Sequence, residues 1–445
     1  MTSLRQDLHF RRYWLARMVS LSGSMITYVV LPILVYQLTG SNLWTGLVAV
    51  SEALPYVCFG LVAGALADRL DRRRLMVAMD LASAAVLASL PLAYLAGVLT
   101  APHVLVAGFV VQAFFVFFDA ANFGALPALV GRDRLGAANS AVIGGGTVIE
   151  LAVPALVGVL LVLLAPAPLL ALDALSFIAS ALLLRAITAP MGLGRSGDRA
   201  PLVSEIREGL SFLVNHPLLR VLTVLGVLVN IGIAAFLSQL VPWLDQVLRI
   251  APAEDPRLGA VWAVLGAGGL AGSLLYPRIT RRLGETQVAQ VFMPASLVCV
   301  VACALLDQWL LAAVAVGLWY LTFIVVALTT ITLRQQITPD HLQGRVNTVG
   351  RMLAFGAGWP VGALAAGLLS EAYGPRAALW LAAAMVAVAC VVAWAALPRA
   401  APASPDGWRA VGSPELGARA PASEWLTDRP EGAGEERAWP DESRR

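Results

Sequence analysis

Four carboxyl side chains lie inside long apolar stretches of the chain, where an ionisable group is costly to bury. They are Glu150, Glu52, Asp119 and Asp173. A charge at the centre of a bilayer costs roughly 2.5–3.5 kcal/mol by insertion scales, so such a group needs a partner, an aqueous cavity or a proton. A carboxyl whose solvation differs between two conformations takes up and releases a proton as the protein switches. We therefore rank these residues as proton-binding candidates, with Glu150 first and Glu52 and Asp119 next.

The helical neighbours of Glu150 are small or polar, as the wall of a cavity requires. Gly146, Thr147 and Pro154 lie three or four residues away, on the same face of a helix. Other polar and aromatic side chains inside apolar stretches suit hydrogen bonding and ring stacking with an amphipathic organic solute. The candidates for such a cavity are Gln112, Phe115, Asn122, Asn230, Gln239 and Thr322.

Plainer structural roles also fit these residues. Asp119 could pair with Arg69 or Arg72, and Glu52 could form a hydrogen bond between helices without ever titrating. Asp80, just inside another apolar stretch, is expected to be interfacial structure. The polar cavity candidates could equally be ordinary contacts between helices. The sequence leaves these alternatives open.

The composition is that of a membrane protein with many spans. Only 13% of the 445 residues are charged and the mean hydropathy is +0.77, whereas soluble domains carry about 25% charged residues. All 31 basic residues are arginines, which excludes a catalytic lysine and the lysine-containing phosphate loop of ATPases. The four histidines lie at or near the ends of apolar stretches. We therefore expect no enzyme, cofactor, metal site or nucleic-acid partner.

Twelve apolar stretches are long enough to cross about 30 Å of hydrocarbon as helices. The break between the fifth and the sixth rests on the sequence APAP at 165–168. The predicted spans are 14–38, 43–67, 75–97, 102–126, 138–165, 167–189, 219–247, 257–280, 286–306, 309–336, 344–371 and 375–397.

The arginines are distributed unevenly between the two sides of the predicted bundle. The N-terminus and the even-numbered connections hold 21 of them, and the odd-numbered connections hold only Arg249, Arg257 and Arg376. Positive residues of membrane proteins stay on the cytoplasmic side. The sequence therefore predicts an even number of spans with both termini in the cytoplasm.

The chain contains an internal repeat. GLVAGALADRLDRR (60–73) aligns with GLAGSLLYPRITRR (269–282), and the segments 126–140 and 336–349 are related at a similar offset. Repeats of this kind indicate two six-helix halves in parallel orientation. The composition after residue 398 predicts disorder, because it cannot bury enough apolar surface to fold. The predicted domains are an N-terminal half (1–189), a cytoplasmic linker (190–218), a C-terminal half (219–398) and a disordered cytoplasmic tail (399–445).

The loop between the second and third spans, GALADRLDRRRLM (64–76), is densely charged. It resembles the signature that the major facilitator superfamily carries at the same place. The resemblance implies the fold of that family, an all-α polytopic membrane protein with 12 transmembrane helices in two six-helix halves. Asp71 stands where the signature usually has glycine, which predicts a looser turn. The matching residues are Gly64, Leu66, Asp68, Arg69, Arg72, Arg73 and Met76.

The resemblance assigns this loop a gating role. Gly64 would let two helices approach closely. Asp68, at a helix end, can accept hydrogen bonds from arginines or from the N-terminus of a helix in the other half, which would latch one conformation. The alternative is that Arg69, Arg72 and Arg73 only set the topology.

Further segments narrow the resemblance to the enterobactin-exporter-like and macrolide-efflux-like subgroup of the superfamily. They include EIREGLSFLVNHPLLR (205–220) and LRQQITPDHLQGRVNTVGR (333–351). The glycine-rich element that exporters often carry in the fifth span is degenerate here. GGGTVIELAVPALVG (144–158) keeps Pro154 and Gly158 but has valines at two usual glycines, so it supports export only weakly.

The resemblance implies a proton-coupled exporter of small amphipathic organic molecules, such as drugs, antibiotics or siderophore-like metabolites. Alternating access would move the substrate across the lipid bilayer of the cell membrane, the inner membrane of a bacterium, and we expect a monomer. The second half contains few carboxyl groups inside its spans. This scarcity is equally compatible with uptake or facilitated diffusion of a nutrient as with export. A membrane enzyme, or a sensor that signals through its tail, is the alternative of another class.

Overall fold

All regular structure in the described part of the chain is helical. This is what a bilayer requires of apolar stretches, because a helix satisfies its own backbone hydrogen-bonding groups. In the computed structural model, 12 helices are long and apolar enough to cross a membrane, which confirms the predicted number of spans. The residues described are 4, 6–192, 210–252, 255–339, 342, 346 and 349–400.

The helices follow the predicted spans closely. The first half contains α1 (Leu8–Thr39), α2 (Asn42–Arg69), α3 (Arg72–Leu95), α4 (Ala101–Val130), α5 (Leu135–Leu163) and α6 (Pro166–Arg185). The second half contains α7 (Pro217–Ser238), the short α8 (Leu240–Gln246), α9 (Arg257–Leu283), α10 (Glu285–Leu305), α11 (Trp309–Ile337), α12 (Gly358–Tyr373) and α13 (Arg376–Ala400). The eleventh span, Val349–Tyr373, includes a π-helical turn at Met352–Ala357 before α12.

Short polar residues and prolines set several helix boundaries. Asp7 caps α1, because its Oδ1 accepts hydrogen bonds from the backbone N–H groups of His9 and Phe10 at 3.1 and 3.2 Å. The predicted break at APAP is confirmed: α5 ends at Leu163 and α6 begins at Pro166. Proline suits this position, because the first turn of a helix has no use for its missing N–H.

The predicted seventh span, 219–247, is not one continuous helix. It divides into α7 and α8 at Gln239, whose backbone leaves the helical region. Pro242 explains the break, because its ring clashes with the carbonyl group four residues earlier and it donates no hydrogen bond. The division turns the side chain of Gln239 toward the first half of the protein.

The helices pack into two bundles. In the first, α1 packs on α5 and α6, and α3 packs on α4 and α6; in the second, α7 packs on α12 and α13, and α11 packs on α9 and α10. The pairs α2 with α12 and α5 with α9 carry most of the contact between the bundles. The internal repeat relates α2 to α9 and α5 to the eleventh span, so the two pairs are equivalent by the same symmetry.

The two ends of the bundles differ in arginine content. The Arg-rich end is the one where α2 ends at Arg69 and α3 begins at Arg72, and the Arg-poor end is the one where α1 ends at Thr39 and α2 begins at Asn42. The predicted linker and tail lie largely outside the described residues. Within the linker, 210–215 are helical.

Candidate functional site

A cavity of about 280 Å³ lies between the two bundles. Its walls come from α1 and α5 of the first bundle and from α7, α9 and α11 of the second. Leucines, a proline and three aromatic rings give it apolar surface, and Glu150, Thr147 and Ser273 give it polar groups. Small-molecule sites have this composition, because apolar walls supply affinity and a few polar groups fix orientation.

Glu150 is the acidic residue among those that line this cavity. Its side chain is exposed, and Thr147 and Pro154 line the same wall, as their helical spacing predicts. Gly146 is buried instead, and a Cβ atom placed on it would lie 3.3 Å from Cδ2 of Leu21. The face of α5 therefore presents two of its three predicted neighbours to the cavity and packs the third against α1.

Two tyrosines connect this wall to the second candidate carboxyl. Tyr28, Trp262 and Tyr320 supply the aromatic lining of the cavity, and the rings of Tyr28 and Trp262 meet edge to face with centroids 6.0 Å apart. Tyr320 lies within electrostatic range of Glu150, and Tyr28 lies within range of both Tyr320 and Glu52. Glu52 is half-buried, and Tyr28 and Tyr320 thus lie within electrostatic range of both carboxyls taken together.

At the Arg-poor end the bundles touch backbone to backbone. A Cβ atom on Gly158 of α5 would lie 2.1 Å from Cα of Gly259 in α9, and one on Gly46 of α2 would lie 2.7 Å from the carbonyl oxygen of Ala363 in α12. Non-bonded carbon atoms approach to about 3.5–4.0 Å. Any larger residue therefore forces these helices apart. We call the pairs Gly158–Gly259 and Gly46–Ala363 the glycine seals.

Hydrogen bonds join the bundles at the same end. Tyr36 Oη donates to Asp245 Oδ2 at 2.8 Å. Gln246 Nε2 donates to Asn42 Oδ1 at 2.8 Å, and Asn42 Nδ2 donates to the carbonyl oxygen of Ser370 at 2.9 Å. These bonds run from α1 and the start of α2 to α8 and the end of α12.

Glu371 and Gln239 extend this network. Glu371 Oε2 accepts hydrogen bonds from Ser41 Oγ at 2.9 Å and from the backbone N–H of Leu43 at 3.1 Å. Gln239 Nε2 donates to the carbonyl oxygen of Asn42 at 3.1 Å. Together with the glycine seals these bonds close the Arg-poor end. We call the network the polar clasp, formed by Tyr36, Ser41, Asn42, Gln239, Asp245, Gln246 and Glu371.

The same helices are free of such crowding toward the Arg-rich end. A Cβ atom on Gly60 or Gly64 of α2, or on Gly144 of α5, would meet nothing within 4 Å. Contact between α2 and the eleventh span reaches Tyr56 and Val57. The ring of Tyr56 meets that of Phe355 with centroids 5.5 Å apart, and a Cβ atom on Gly356 would lie 2.9 Å from Cγ2 of Val57. The close helix approach expected at Gly64 is therefore wrong for this conformation, because the space beside it is empty.

The charged loop beyond Gly64 is tied to its own half. Asp71 caps α3 by accepting the backbone N–H three residues on at 3.0 Å, so the looser turn expected from losing the signature glycine is wrong. Arg72 Nη1 donates to the carbonyl oxygen of Gly124 at 3.2 Å, and Arg73 Nη1 donates to that of Ile187. The arginines therefore hold α3 to α4 and to the end of α6.

The latch expected from Asp68 stays a prediction. Its side chain lies outside the part of the chain that the structure describes, and its neighbour Arg69 is exposed at the end of α2. A latch at this end would also have to form in a conformation where the Arg-rich ends meet.

The three residues of the second half that were predicted to line the cavity form hydrogen bonds outside it. Asn230 Nδ2 donates to the carbonyl oxygen of Gly226, at 2.8 Å, and Thr322 Oγ1 donates to that of Trp319, at 2.7 Å, each within its own helix. Gln239 is fully buried in the polar clasp. These placements correct the expectation that the three side chains line the substrate cavity, since none is among its lining residues.

The candidates on α4 lie beside α1. Asn122 accepts a hydrogen bond from Tyr13 Oη, and Asp119 lies within electrostatic range of the same tyrosine. The ion pairs seen among the described residues do not include one between Asp119 and Arg69 or Arg72, and that alternative stays open. Two further half-buried candidates of α4 are Gln112 and Phe115.

Asp173 is fully buried inside the first bundle, away from the cavity. Its carboxyl accepts hydrogen bonds from Thr27 Oγ1 and from Ser176 Oγ, the latter at 3.0 Å. Asp80, expected at the interface, is only 2% exposed. It lies beside Ser180 of α6, so the sequence missed a second buried carboxyl in this bundle.

The glycine seals and the polar clasp were also missed. Gly158 stood out only as part of a degenerate element, and Asn42 and Glu371 looked like ordinary residues at the ends of spans. Small residues such as Gly158 indicate that two helices approach closely in a membrane, and this was the one sequence feature that pointed to the glycine seals. A small residue does not identify the helix that approaches it.

Comparisons with known proteins agree with this architecture. A family model described as transmembrane secretion effector matches residues 1–415. The multidrug efflux pump Tap of Mycolicibacterium fortuitum is 30% identical over 371 residues, which cover 80% of this chain and 88% of that protein. The pump of the same name in Mycobacterium tuberculosis (strain ATCC 25618 / H37Rv) is 30% identical over 387 residues, covering 81% of this chain and 87% of that one.

Solved transporters share the fold at low sequence identity. A crystal structure of the nucleoside transporter NupG superposes with a TM-score of 0.71 at 12% identity, covering 88% of this chain and 98% of that chain. A bacterial homologue of the iron transporter ferroportin, in its inward-facing state, superposes with a TM-score of 0.70 at 16% identity, covering 88% and 99%. The chain belongs to the transmembrane secretion effector family, and it is a multi-pass transporter of the plasma membrane with the major facilitator fold, not an enzyme.

Proposed function

We propose that the protein exports small amphipathic organic molecules from the cytoplasm in exchange for protons, by alternating access. Export itself follows from the family and from relatives named as multidrug efflux pumps. The observation that carries the rest is the cavity between the bundles, which has Glu150 and three aromatic rings in its walls. The glycine seals and the polar clasp close one end of the path that leads to it.

We take the Arg-rich end as cytoplasmic, because positive residues stay on that side. Both chain termini then face the cytoplasm, and the closed Arg-poor end faces outward. In this inward-open arrangement a substrate enters between the Arg-rich ends of α2 and α5. The bundles, roughly the halves 1–189 and 219–398, then rock until the glycine seals separate. One chain contains the whole cavity, so we propose the monomer as the transporting unit.

The cavity lining supports an amphipathic substrate. The rings of Tyr28, Trp262 and Tyr320 offer faces and edges for stacking, as aromatic side chains do. Glu150, Thr147 and Ser273 offer the few polar groups that orient a ligand in an apolar site. A molecule with one aromatic region and one polar group fits both parts of this lining.

Coupling follows if Glu150 holds either the proton or the polar group of the substrate. In the inward-open state, substrate binding displaces the proton into the cytoplasm. In the outward-open state, a proton from outside returns to the carboxylate and displaces the substrate. Glu52 is the second coupling candidate, because Tyr28 connects it to the same region. Asp119 and Asp173 rank lower, since no described contact joins either of them to a residue of the cavity lining.

The test uses everted membrane vesicles that contain the protein. An interior-acid pH gradient is imposed, and accumulation of a panel of amphipathic compounds is compared for wild type, Glu150→Gln and Asp307→Asn. Asp307 is a matched control, because it is an exposed carboxyl at the Arg-poor end, paired with Arg376. We expect gradient-driven accumulation in wild type and Asp307→Asn, and its loss in Glu150→Gln with substrate binding retained.

The other outcomes are also informative. Accumulation that is equal in wild type and Glu150→Gln moves coupling away from Glu150, and Glu52→Gln is then the variant to measure. If no compound of a broad panel accumulates in a gradient-dependent manner in wild type, proton-coupled export is refuted.

The charged loop has a proposed role in the same cycle. Asp68 and the arginines beside it would latch the Arg-rich ends together in the outward-open state, because a carboxylate at a helix end attracts guanidinium groups. Asp68→Asn is expected to slow transport without preventing substrate binding. If transport in vesicles is unchanged, the loop only sets the topology of the protein in the membrane and does not act as a latch.

A further inference from the structure

Two acidic side chains are buried together inside the first bundle, outside the lining of the central cavity. Asp173 on α6 is 0% exposed and Asp80 on α3 is 2% exposed, and they lie within electrostatic range of each other. Like charges that share a buried site disfavour the state in which both are ionised. The hydrogen bonds around each carboxyl indicate which one is neutral.

Asp173 has the surroundings of a carboxylate. Thr27 Oγ1 donates to its Oδ2 and Ser176 Oγ donates to its Oδ1. Gly23 lets α1 lie directly against this group, because a Cβ atom there would be 2.2 Å from Oδ1. Hydrogen bonds to both oxygens stabilise the charged form, and Asp80 receives none at its Oδ2 from the described residues, so the hydrogen bonds favour Asp173 as the ionised member of the pair.

Asp80 has the surroundings of a neutral acid. Its Oδ2 is buried and has no hydrogen-bond partner in the described part of the chain. Ser180 Oγ, on the facing side of α6, lies close to this carboxyl and is itself buried without a partner among the described residues. A proton on Oδ2 makes it a donor for the hydroxyl oxygen of Ser180, whereas an ionised Oδ2 would accept the Ser180 hydroxyl proton instead. The contact with Ser180 fits both forms, so the burial of Asp80 beside the negative charge of Asp173 is what favours the neutral acid.

The charged groups near Asp80 also bear on whether the Asp80–Asp173 pair holds a proton. Arg17 of α1 lies within electrostatic range of Asp80, and its guanidinium carbon lies 5.2 Å from the centroid of the Phe118 ring. Arg17 also lies near Asp119 of α4, because both residues act electrostatically on Tyr13, so its charge does not balance the Asp80–Asp173 pair alone. A single proton reduces the negative charge of that buried pair from two to one, which lowers the cost of burying it.

Other titratable groups of the helices packed on α3 lie further along the bundle. On α4, His103 shares a hydrogen bond with Ser89 of α3 at 2.9 Å, nine residues and about 13.5 Å of helix from Asp80. Asp119 of α4 lies by Tyr13, one helical turn before Arg17. On α2, Glu52 lies by Tyr28 at the cavity. Arg17 and Asp173 are therefore the charged groups with which Asp80 interacts.

We propose that Asp80 holds a resident proton, donated to Ser180, which is a structural part of the first bundle. This proton is distinct from the transported one, because its site lies within one bundle and that bundle moves as a body during alternating access. Asp173 is then the fixed acceptor of two hydroxyl groups and does not cycle. Release of the proton at alkaline pH leaves a buried negative charge between α3 and α6 and weakens their packing.

The first test measures thermal stability of the purified protein in lipid nanodiscs as the pH is raised from neutral. A proton bound by the folded state and not by the unfolded state stabilises at low pH, and that stabilisation is lost as the pH rises. Asp80→Asn is the isosteric, non-titrating variant, and its amide can donate to Ser180. We expect its alkaline loss of stability to begin at least about one pH unit later than in wild type, a tenfold change in proton concentration.

Asp307→Asn is the matched control, because it replaces an exposed carboxyl outside the first bundle and should keep the wild-type alkaline profile. If Asp80→Asn loses stability at the same pH as wild type, the proposal is wrong. If sodium chloride, but not choline chloride, protects wild type at alkaline pH and leaves Asp80→Asn unchanged, the occupant is a sodium ion and the proton assignment is overturned. None of these outcomes depends on transport, so they do not decide the proposed exporter.

A second measurement covers the case in which Asp80→Asn does not fold. Infrared difference spectra of the protein with the two leading coupling candidates replaced, Glu52→Gln and Glu150→Gln, are recorded between neutral and alkaline pH. We expect a carbonyl-stretch band of a protonated carboxylic acid at neutral pH that disappears as the pH rises. Absence of that band at neutral pH refutes the resident proton.

Discussion

Substitution of Gly158 by alanine should open the outer end of the transporter. The added Cβ atom would lie 2.1 Å from Cα of Gly259, whereas non-bonded carbons need about 3.5–4.0 Å. The α5–α9 crossing must therefore widen by roughly 1.4–1.9 Å to accept a single methyl group. Both atoms at the contact belong to helix backbones, so no side chain can rotate away to make room.

The cost falls on the closed state alone. Overpacking of a tight contact typically costs about 1–3 kcal/mol, and a bias of this size changes the ratio of two conformations by roughly 5- to 150-fold. The outward-open state separates Gly158 from Gly259 and does not carry that cost. Gly158→Ala is therefore expected to raise the outward-open population by that factor.

The assay is cysteine labelling from outside the cell. The four native cysteines are replaced by serine, and Thr45→Cys is introduced as the reporter, because Thr45 is fully buried in direct contact with the polar clasp, where its Oγ1 accepts a hydrogen bond from Gln239 Nε2 at 3.3 Å. A membrane-impermeant maleimide then reacts at a rate that follows the outward-open population. Gly144→Ala is the control on the same helix, since a Cβ atom there meets nothing within 4 Å.

The refuting result is specific. If Gly158→Ala and Gly144→Ala react at the same rate as the parent, and both still transport, then α5 and α9 do not meet at this crossing in the membrane. The glycine seals would then not be what closes the outer end.

Three further changes should have measurable effects. Asn42→Ala removes two side-chain hydrogen bonds to the second bundle, each worth about 0.5–1.5 kcal/mol. Labelling of Thr45→Cys from outside should therefore become roughly 5- to 150-fold faster. An unchanged labelling rate would count against the polar clasp. Arg72→Ala removes the bond to the Gly124 carbonyl within one bundle, so thermal stability should fall by about 1–3 kcal/mol, and outside labelling should slow because the proposed latch of the outward-open state loses an arginine; an unchanged labelling rate would count against Arg72 in the latch. The hydrogen bond from Arg257 holds the pKa of Asp255 below its usual value. The ionised Asp255 therefore stabilises the folded protein above about pH 4, and this stabilisation is lost as the pH falls. Asp255→Asn should remove this loss of thermal stability at acidic pH, as measured in a thermal scan.

Much of the fold was predictable because the bilayer restricts the choices of the chain. A stretch of about 20 apolar residues in lipid has little alternative to a helix, so the 12 spans follow from hydropathy alone. The break at APAP and the start of α6 at Pro166 follow from local backbone chemistry. The division at Gln239 was missed although Pro242 was visible, because hydropathy continues across it.

The candidate site was predictable only in part. Glu150 and its neighbours Thr147 and Pro154 share one helix, so their common face follows from helical spacing. Gln239 was misplaced, because its partner Asn42 lies almost 200 residues away and no local pattern connects them. Asp80 was misplaced for the same reason, since its burial depends on how α3 packs against α6. Contacts between residues far apart in the chain depend on the tertiary structure. The periodicity of a single sequence does not predict them.

The π-helical turn at Met352–Ala357 gives the eleventh span a second way to move. A π turn holds one residue more than the α turn it replaces, and each residue of an α-helix corresponds to about 100° of rotation. If this extra residue shifts along the span, the segment it crosses rotates about its own axis while the helix keeps its length and tilt. Phe355, inside the turn, would then swing away from Tyr56. The aromatic surface that the second bundle offers to the first is thus set by a register of hydrogen bonds, which can change without rigid-body motion of either bundle.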